Sequence, residues 1–447
     1  MTPLALERPG RWRAVAMAGI FALAALPSLP LLAQAGAWGE GGGLGSFPAA
    51  LRGSARLAGA AAALGFGIGL PLGVLAALYT FPGRRALLGL ASLPLLVPSL
   101  LWAIGWSALA ARVSPGSLRG TPGCVLVFAT AAVPLVLLTA WAATASLGAT
   151  QVDAARLAGG ERALVGRALR HSAVPALLAA GLAAVLALSD PGPGQIFGVR
   201  TAAAEILVSF AAFFDFGLAA RQGIALAVLV LVLAVPLAAV AAPRLGAAVL
   251  PREARPVPPA AHRGMAALTA GSLLALVLAG VAAPLAGLAL PARSGGALGR
   301  AGSEAARTLG DTLVYALGSG TVAAGLGLLL AAFTGRSSRL QTAALTLSFL
   351  LFSMPPALPA LGWLQVAGQV PAEAAALLRS RLAVCLALGL RFLPVAALLA
   401  LRGWAATSPT WTLAAGLHGV PLGRYLARVL APRLAPAAGT ALLLAAL

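Results

Sequence analysis

Residues 151–174 read QVDAARLAGGERALVGRALRHSAV, a charged and helix-forming stretch in a chain that is otherwise strongly apolar. Apolar side chains recur in it at helical spacing, and four arginines take the other positions. The pair Gly159-Gly160 interrupts this pattern, because glycine ends helices and permits the positive φ of a turn. The stretch therefore predicts a helix–turn–helix at the cytoplasmic membrane face, with the next span beginning at Val174-Pro175.

The composition around this stretch is that of a membrane protein. The chain has 447 residues, of which 60% are hydrophobic and only 9% are charged, and its mean hydropathy is +0.95. A soluble domain carries about 25% charged residues. Uncharged runs of about 20 residues recur along the chain, which is the length that crosses a bilayer. The sequence predicts an all-α polytopic membrane protein and argues against a soluble fold.

The net charge of +20 comes entirely from arginine, since the chain contains no lysine. The arginines form short clusters between apolar runs, as the positive-inside bias of membrane proteins requires, and they build no patch for nucleic acid. With the N-terminus placed in the cytoplasm, most of them fall on the cytoplasmic side. Cys124 and Cys385 have no CxxC partner, so neither a disulfide framework nor a zinc site is indicated, and no metal or cofactor is expected.

Eleven candidate spans follow from the apolar runs, and the first is interpreted as a transmembrane helix in preference to a signal peptide. A polar stretch rich in proline and arginine, PREARPVPPAAHRG, separates the last five from the first six and indicates a cytoplasmic linker at 251–264. The spans lie near 14–34, 56–80, 87–111, 123–147, 174–189, 223–243, 265–290, 311–333, 342–368, 382–401 and from about 434 to the end.

Two pairs of matching segments indicate a tandem duplication. FPGRR at 81–85 matches FTGRS at 333–337, and LPLLVPSLLWAIGW at 93–106 matches LLFSMPPALPALGW at 350–363. Each pair is separated by about 250–260 residues, and an even number of spans per unit makes the repeat parallel. The prediction is a first transmembrane unit at 1–250 and a second at 265–447. The second is expected to lack most of its final two helices.

The charged stretch has its own counterpart, LAAGLHGVPLGRYLARVLAP at 413–432. Ala414-Ala415 matches Ala154-Ala155, Gly419 matches Gly159, and Pro432 is expected to restart the membrane segment. This pattern resembles the EAA loop of ABC importer permeases, in which an acidic residue and two alanines precede a glycine and, further along, a proline. The first copy has the acid, Asp153, with a longer distance to its proline; the second has the usual spacing and Leu413 in place of the acid.

The arrangement as a whole resembles the fused two-domain permeases of the ferric-iron and thiamine uptake type, and FGVRTAAAEI at 197–206 also looks like that group. The resemblance implies a type I permease subunit in a bacterial inner membrane, with ferric iron or thiamine as substrate and a solute-binding protein outside. It implies that the loops containing Asp153, Gly159, Gly160 and Gly419 dock on separate ATPase subunits. The chain itself is expected to be no enzyme, because without lysine it has no P-loop.

Polar residues near the spans are candidates for the substrate pathway. Asp190 and Gln195 could line a cavity or belong to an ordinary extracytoplasmic turn, and Arg391 lies inside a span, facing the bundle or reaching an interface. These residues do not distinguish ferric iron from thiamine, polyamine, phosphonate or sulfate. An ion-coupled secondary transporter with tandem repeats is the alternative, and it would want carboxylates within the membrane. A membrane scaffold without transport activity is a third interpretation.

Overall fold

The computed structural model describes residues 11–25, 44–247, 263–289, 295–335, 337–353, 362–363, 366–405 and 407–446, and every regular element that it describes is helical. The elements of the N-terminal half are α1 Arg11–Ala25, α2 Phe47–Leu78, α3 Arg84–Ser92, α4 Ser99–Val113, α5 Thr121–Ala145, α6 Ala149–Ser189, α7 Gly192–Phe197, α8 Ala202–Ala211 and α9 Phe216–Ala247. Those of the C-terminal half are α10 Arg263–Val277, α11 Ala283–Ala289, α12 Gly295–Thr334, α13 Ser338–Ser353, α14 Ala372–Leu378, α15 Arg381–Ala405, α16 Pro409–Leu417, α17 Leu422–Tyr425 and α18 Ala431–Ala446.

Seven of the described helices are long and apolar enough to cross a membrane. They coincide with the spans predicted near 56–80, 123–147, 174–189, 223–243, 265–290, 311–333 and 382–401, which confirms a polytopic α-helical membrane protein. The spans predicted near 14–34 and 342–368 lie partly outside the described residues. The one from about 434 corresponds to α18, which has 16 residues.

The span predicted near 87–111 is not one straight helix. Residues Arg84–Leu95 and Ser99–Val113 form two helices bent by 99°, and a short 3₁₀ turn at Leu93–Leu95 ends the first. Pro98 marks the break: its backbone is extended, with φ −53° and ψ 136°, and it lacks the N–H that would continue the first helix. The apolar pattern predicted the membrane segment but not its bend.

The chain divides into two compact units, and each unit is assembled from stretches that are separated in the sequence. Unit A comprises Gly45–Glu205 and the described residues of Pro251–Gly302; unit B comprises the described residues of Met1–Leu44, Ile206–Leu250 and Ser303–Leu447. Unit A thus takes α10 and α11 from the C-terminal half, and unit B takes α1 and α9 from the N-terminal half. The sequence predicts two repeated units, 1–250 and 265–447, joined by a linker at 251–264. That duplication stays a prediction.

Unit A is built on the contact between α2, α5 and α6. Its core contains Val74 and Leu78 of α2, Val136 of α5, and Leu164 and Ala168 of α6. In unit B, Leu330 of α12, Ala344 of α13 and Leu393 and Ala397 of α15 pack together, and Met17, Ile20 and Phe21 of α1 cover them. Both cores use small side chains between long helices, the usual means of close packing in membranes.

The approach of α2 to α5 requires glycine at a row of positions four residues apart. A Cβ added at Gly69 would lie 2.7 Å from the carbonyl oxygen of Val133 and 2.9 Å from Cβ of Val136. Gly65 and Gly73, one turn to each side, are equally close to α5. The backbones therefore touch along this row, which holds the C-terminal end of α2 in place beside α6.

We expect Gly69→Ala to destabilise the protein by about 1–3 kcal/mol, because the methyl group overlaps the backbone of α5. Gly67→Ala is the matched control, since a Cβ at Gly67 meets nothing within 4 Å and alanine favours a helix by up to about 1 kcal/mol. Thermal unfolding of the purified protein measures both. Equal midpoints for the two variants would contradict the close approach of α2 and α5.

Candidate functional site

The charged stretch at 151–174 folds as two helices separated at the glycine pair. Gly159 has φ −174° and ψ 26°, and Gly160 has φ 66° and ψ −154°, so the helical path stops after residue 158 and resumes at residue 161. The positive φ of Gly160 falls in the left-handed region that glycine adopts without strain. The predicted helix–turn–helix is confirmed, and we call residues 149–161 the first loop.

The second helix of the stretch differs from its prediction at one point. No new helix begins at Pro175, because this proline lies inside a helix that runs without a break from residue 161 to Ser189. Proline inside a membrane helix is tolerated where neighbouring groups satisfy the backbone carbonyl that it leaves free. The first loop is therefore joined directly to a transmembrane segment.

One face of the first loop is anchored in unit A and the other is exposed. Val152 is fully buried and packs in the same cluster as Leu78, Leu147 and Leu164, and Ala155 is partly buried against it. Asp153, Ala154, Ala158, Gly159 and Gly160 are exposed. Leu157 is 90% exposed at the tip of the short helix. The predicted coupling residues thus share one surface, except Ala155, which faces the core.

A polar clamp crosses the break at the glycine pair. Arg156, before the break, donates from Nε to Oε1 of Glu161, after it, at 3.1 Å. The hydroxyl of Tyr79, at the end of α2, donates to Oε2 of the same carboxylate at 2.8 Å. We call these three residues the clamp. Hydrogen bonds to a charged group contribute about 1.5–3 kcal/mol each, so the clamp stabilises a turn at which the helical backbone path is interrupted.

The Tyr79 hydroxyl titrates unusually because of this environment. Burial, the hydrogen bond to Glu161 and the negative charge of that carboxylate together raise the pKa of Tyr79 to about 12. Tyr79 is fully buried in the folded protein and exposed to water in the unfolded chain, so the two states bind the phenolic proton differently.

The second loop, residues 408–421, has the same outline and different supports. Its helix α16 begins at Ser408, whose hydroxyl accepts a hydrogen bond from the Thr410 amide, and it is followed by Gly419 with φ 64°. The buried hydroxyls of Thr412 and Tyr425 lie 2.9 Å apart. Ala414 and Gly419 are exposed, and Ala415 is half-buried. Pro432 is exposed and is the second residue of α18, which directly follows the π-helical turn Leu426–Leu430. That a membrane segment restarts there stays a prediction.

The two loops expose an apolar side chain at the same position. The alignment that pairs Gly159 with Gly419 also pairs Leu157 with Leu417, which is 85% exposed, and pairs buried Val152 with buried Thr412. Sequence reasoning did not single out the leucines. The sequence does show a leucine two residues before the glycine in both loops. A leucine in a helix is usually a core residue, and only the structure shows that these two are exposed.

The three candidate pathway residues lie apart from the loops. Asp190 accepts hydrogen bonds from the Ser99 hydroxyl and, at 2.9 Å, from the Gly192 amide, so it ties the start of α4 to the start of α7. Gln195 is exposed on α7, and Arg391 is half-buried within α15, where it has an interaction partner. Asp190 therefore has a structural role where two helices begin, and its place in a substrate pathway stays a prediction.

Comparisons with known proteins return no match: neither the family models, nor the curated proteins, nor the solved structures contain a significant relative of this chain. Within the described ranges, no group of three or more His, Cys, Asp or Glu side chains could hold a metal ion. The class of protein that the described residues define is therefore a multi-pass α-helical membrane protein with two glycine-broken polar loops.

Titration of Tyr79 tests the clamp. The absorbance difference between the wild-type protein and Tyr79→Phe should report a tyrosinate that forms near pH 12, not near the usual value of about 10. Because the folded protein keeps this proton longer than the unfolded chain, this contribution to stability is present below pH 10 and is lost as the pH rises from about 10 to 12. A difference spectrum with a midpoint near 10 would show that Glu161 and burial do not hold the hydroxyl.

Proposed function

We propose that this protein is the permease subunit of an ATP-driven importer in a bacterial inner membrane, and that its two loops dock on separate ATPase subunits. The observation that carries the proposal is the repeated loop: a helix, an exposed leucine and a glycine turn, once in each half of the chain. An extracytoplasmic solute-binding protein would deliver the substrate, and ferric iron or thiamine is the substrate class that the sequence resemblance implies.

The exposed leucines supply the physical reason for a partner. Moving a leucine side chain out of water contributes about 1.5–3 kcal/mol. A single exposed leucine is ordinary, but Leu157 and Leu417 occupy matching positions beside matching glycines. The neighbouring alanines and glycines have little or no side chain, so a partner's groove can close around each helix tip. Such a surface suits an apolar socket with room for the backbone turn.

Arginine in and around the first loop is consistent with placing it in the cytoplasm. Arg162, Arg167 and Arg170 are exposed on the same stretch as Leu157. Arginines on the cytoplasmic side anchor membrane proteins at anionic headgroups. The proposed docking surface would then face the cytoplasm, where ATP is present.

The motor must be a different chain if transport is driven by ATP. A P-loop needs a lysine that reaches the phosphates, and this sequence has none. Docking through the two loops would then transmit the closure of an ATPase pair to the spans, since each loop is continuous with a membrane helix.

The carboxylates near the spans give little support to the alternative, an ion-coupled secondary transporter. Asp190 is engaged by Ser99 and Gly192. Asp215 accepts from the Leu218 amide at 2.8 Å, at the start of α9, and Asp311 pairs with Arg381 at 2.8 Å in an exposed position. Each therefore has a local structural partner, whereas a proton or sodium site needs a carboxylate available within the membrane.

The purified subunit is expected to hydrolyse no ATP by itself, because it has no lysine for a P-loop. The assay compares the subunit alone with the subunit co-purified with an ATPase expressed from the same genome. Turnover that persists after every partner has been removed would contradict the division of labour proposed here.

Leu157→Asp and Leu417→Asp are each expected to weaken ATPase binding about tenfold or more, since they remove the apolar contact and place a charge in its socket. Val113→Asp is the matched control, because Val113 is 77% exposed at the end of α4 and outside both loops. The dissociation constant of the purified subunit with its co-expressed ATPase measures the effect.

Site-specific photocrosslinkers at positions 157 and 417 provide a second readout for the same proposal. We expect both to capture the ATPase, and a crosslinker at position 113 to capture none. If neither loop position crosslinks and both aspartate variants bind like the wild-type protein, the loops are ordinary cytoplasmic turns and the importer assignment is lost.

A further inference from the structure

The residues that form the clamp in the first loop have no equivalents at the aligned positions of the second loop. The alignment that pairs Gly159 with Gly419 places Gly416 at the position of Arg156 and Pro421 at the position of Glu161. The pairing of 81–85 with 333–337 places Ala331 at the position of Tyr79. None of these three residues has a side chain that could donate or accept a hydrogen bond, so the second loop cannot form the clamp.

The second loop is supported from within itself. Thr412 and Tyr425, whose hydroxyls meet at 2.9 Å, belong to the loop and to the helix that follows it. The guanidinium of Arg433, in α18, lies 4.9 Å from the centre of the Trp411 ring. In the first loop, by contrast, Tyr79 comes from the end of α2, far away in sequence. The first loop is therefore tied to a transmembrane helix other than its own, and the second loop is tied to its own continuation.

The helices that follow the two loops also differ. Residues 161–189 continue from the first loop as a regular α-helix into the membrane. Behind the second loop, Leu426–Leu430 form a π-helical turn before α18 begins. A π-turn is a rare single-turn irregularity inside an α-helix and is frequent at functional sites. This is a second reason, independent of the clamp, to expect the second loop to move more easily against its span.

We propose that the two loops are mechanically unequal, with Glu161 as the positioning residue that makes the first loop a rigid extension of α2 and α6, while the second loop is held by the helices that follow it and shifts more easily. The consequence for transport rests on the proposed function, in which both loops receive the motion of an ATPase. Displacement of the first loop is passed to two membrane helices at once. Displacement of the second loop is partly taken up by the π-turn.

Hydrogen–deuterium exchange on the purified chain in lipid nanodiscs, without any ATPase, tests the inequality. In the wild-type protein, the amides of residues 149–158 should be more strongly protected than those of α16. Glu161→Gln, which keeps the shape and removes the charge, should speed exchange in residues 149–158 about tenfold and leave α16 unchanged, because a charge-assisted hydrogen bond is lost. Tyr79→Phe should act in the same direction.

Two further variants separate positioning from general damage. Arg162→Gln removes an exposed charge next to Glu161 and should leave exchange in residues 149–158 unchanged. The double variant Arg156→Glu with Glu161→Arg restores an ion pair of opposite polarity across the break, and it should recover protection. A lower thermal midpoint with no change in local exchange would show that Glu161 is a general stabilising residue, which would overturn the proposal.

The result that overturns the inference is distinct from one that overturns the importer assignment. Equal protection of the two loops, or unchanged exchange in residues 149–158 of Glu161→Gln, shows that the clamp does not fix the first loop, whatever the loops bind. Failure of the crosslinks at positions 157 and 417 removes the ATPase partner and leaves the exchange measurement standing.

Discussion

The backbone inside a bilayer must satisfy its own hydrogen bonds, and the rest of this structure depends on that constraint. No water reaches the N–H and C=O groups of a span, so a chain of this hydropathy forms helices wherever it crosses the membrane. Hydrophobic burial cannot hold such helices together, because lipid is as apolar as the side chains. Close contact through small residues takes its place, as along the glycine row of α2, where the backbone of α5 lies directly against Gly69.

Polar residues are consequently concentrated where the helices leave the membrane or change direction. Asp190 connects two helix starts beside the bent span, and Glu161 connects the two sides of a glycine break to the end of α2. In both places a carboxylate accepts hydrogen bonds from backbone or side-chain donors near the point where a helix is interrupted. Asp190 and Glu161 thus stabilise interrupted helices.

The two loops show how similar outlines can arise from different interactions. Both have a short helix, a buried residue at the same position, an exposed leucine and a glycine turn. One is held by an ionised network, and the other by a pair of neutral hydroxyls and the contact of Arg433 with the Trp411 ring. If both receive the same motion from a partner, the difference in their supports makes them unequal in transmitting it. Two loops within one chain can differ in this way, because each can acquire its own substitutions; two copies of the same chain could not.

The sequence by itself determined the class of the protein, most of the spans and the glycine breaks of both loops. These features depend on composition, helical periodicity and backbone freedom, which act within about 20 neighbouring residues. Only the tertiary structure decided the 99° bend between α3 and α4, the continuity of the helix through Pro175 and the exposure of Leu157 and Leu417. It alone brought Tyr79 to Glu161, residues 82 apart in the chain, because a contact between distant residues depends on how helices pack and leaves no periodic signal in the sequence.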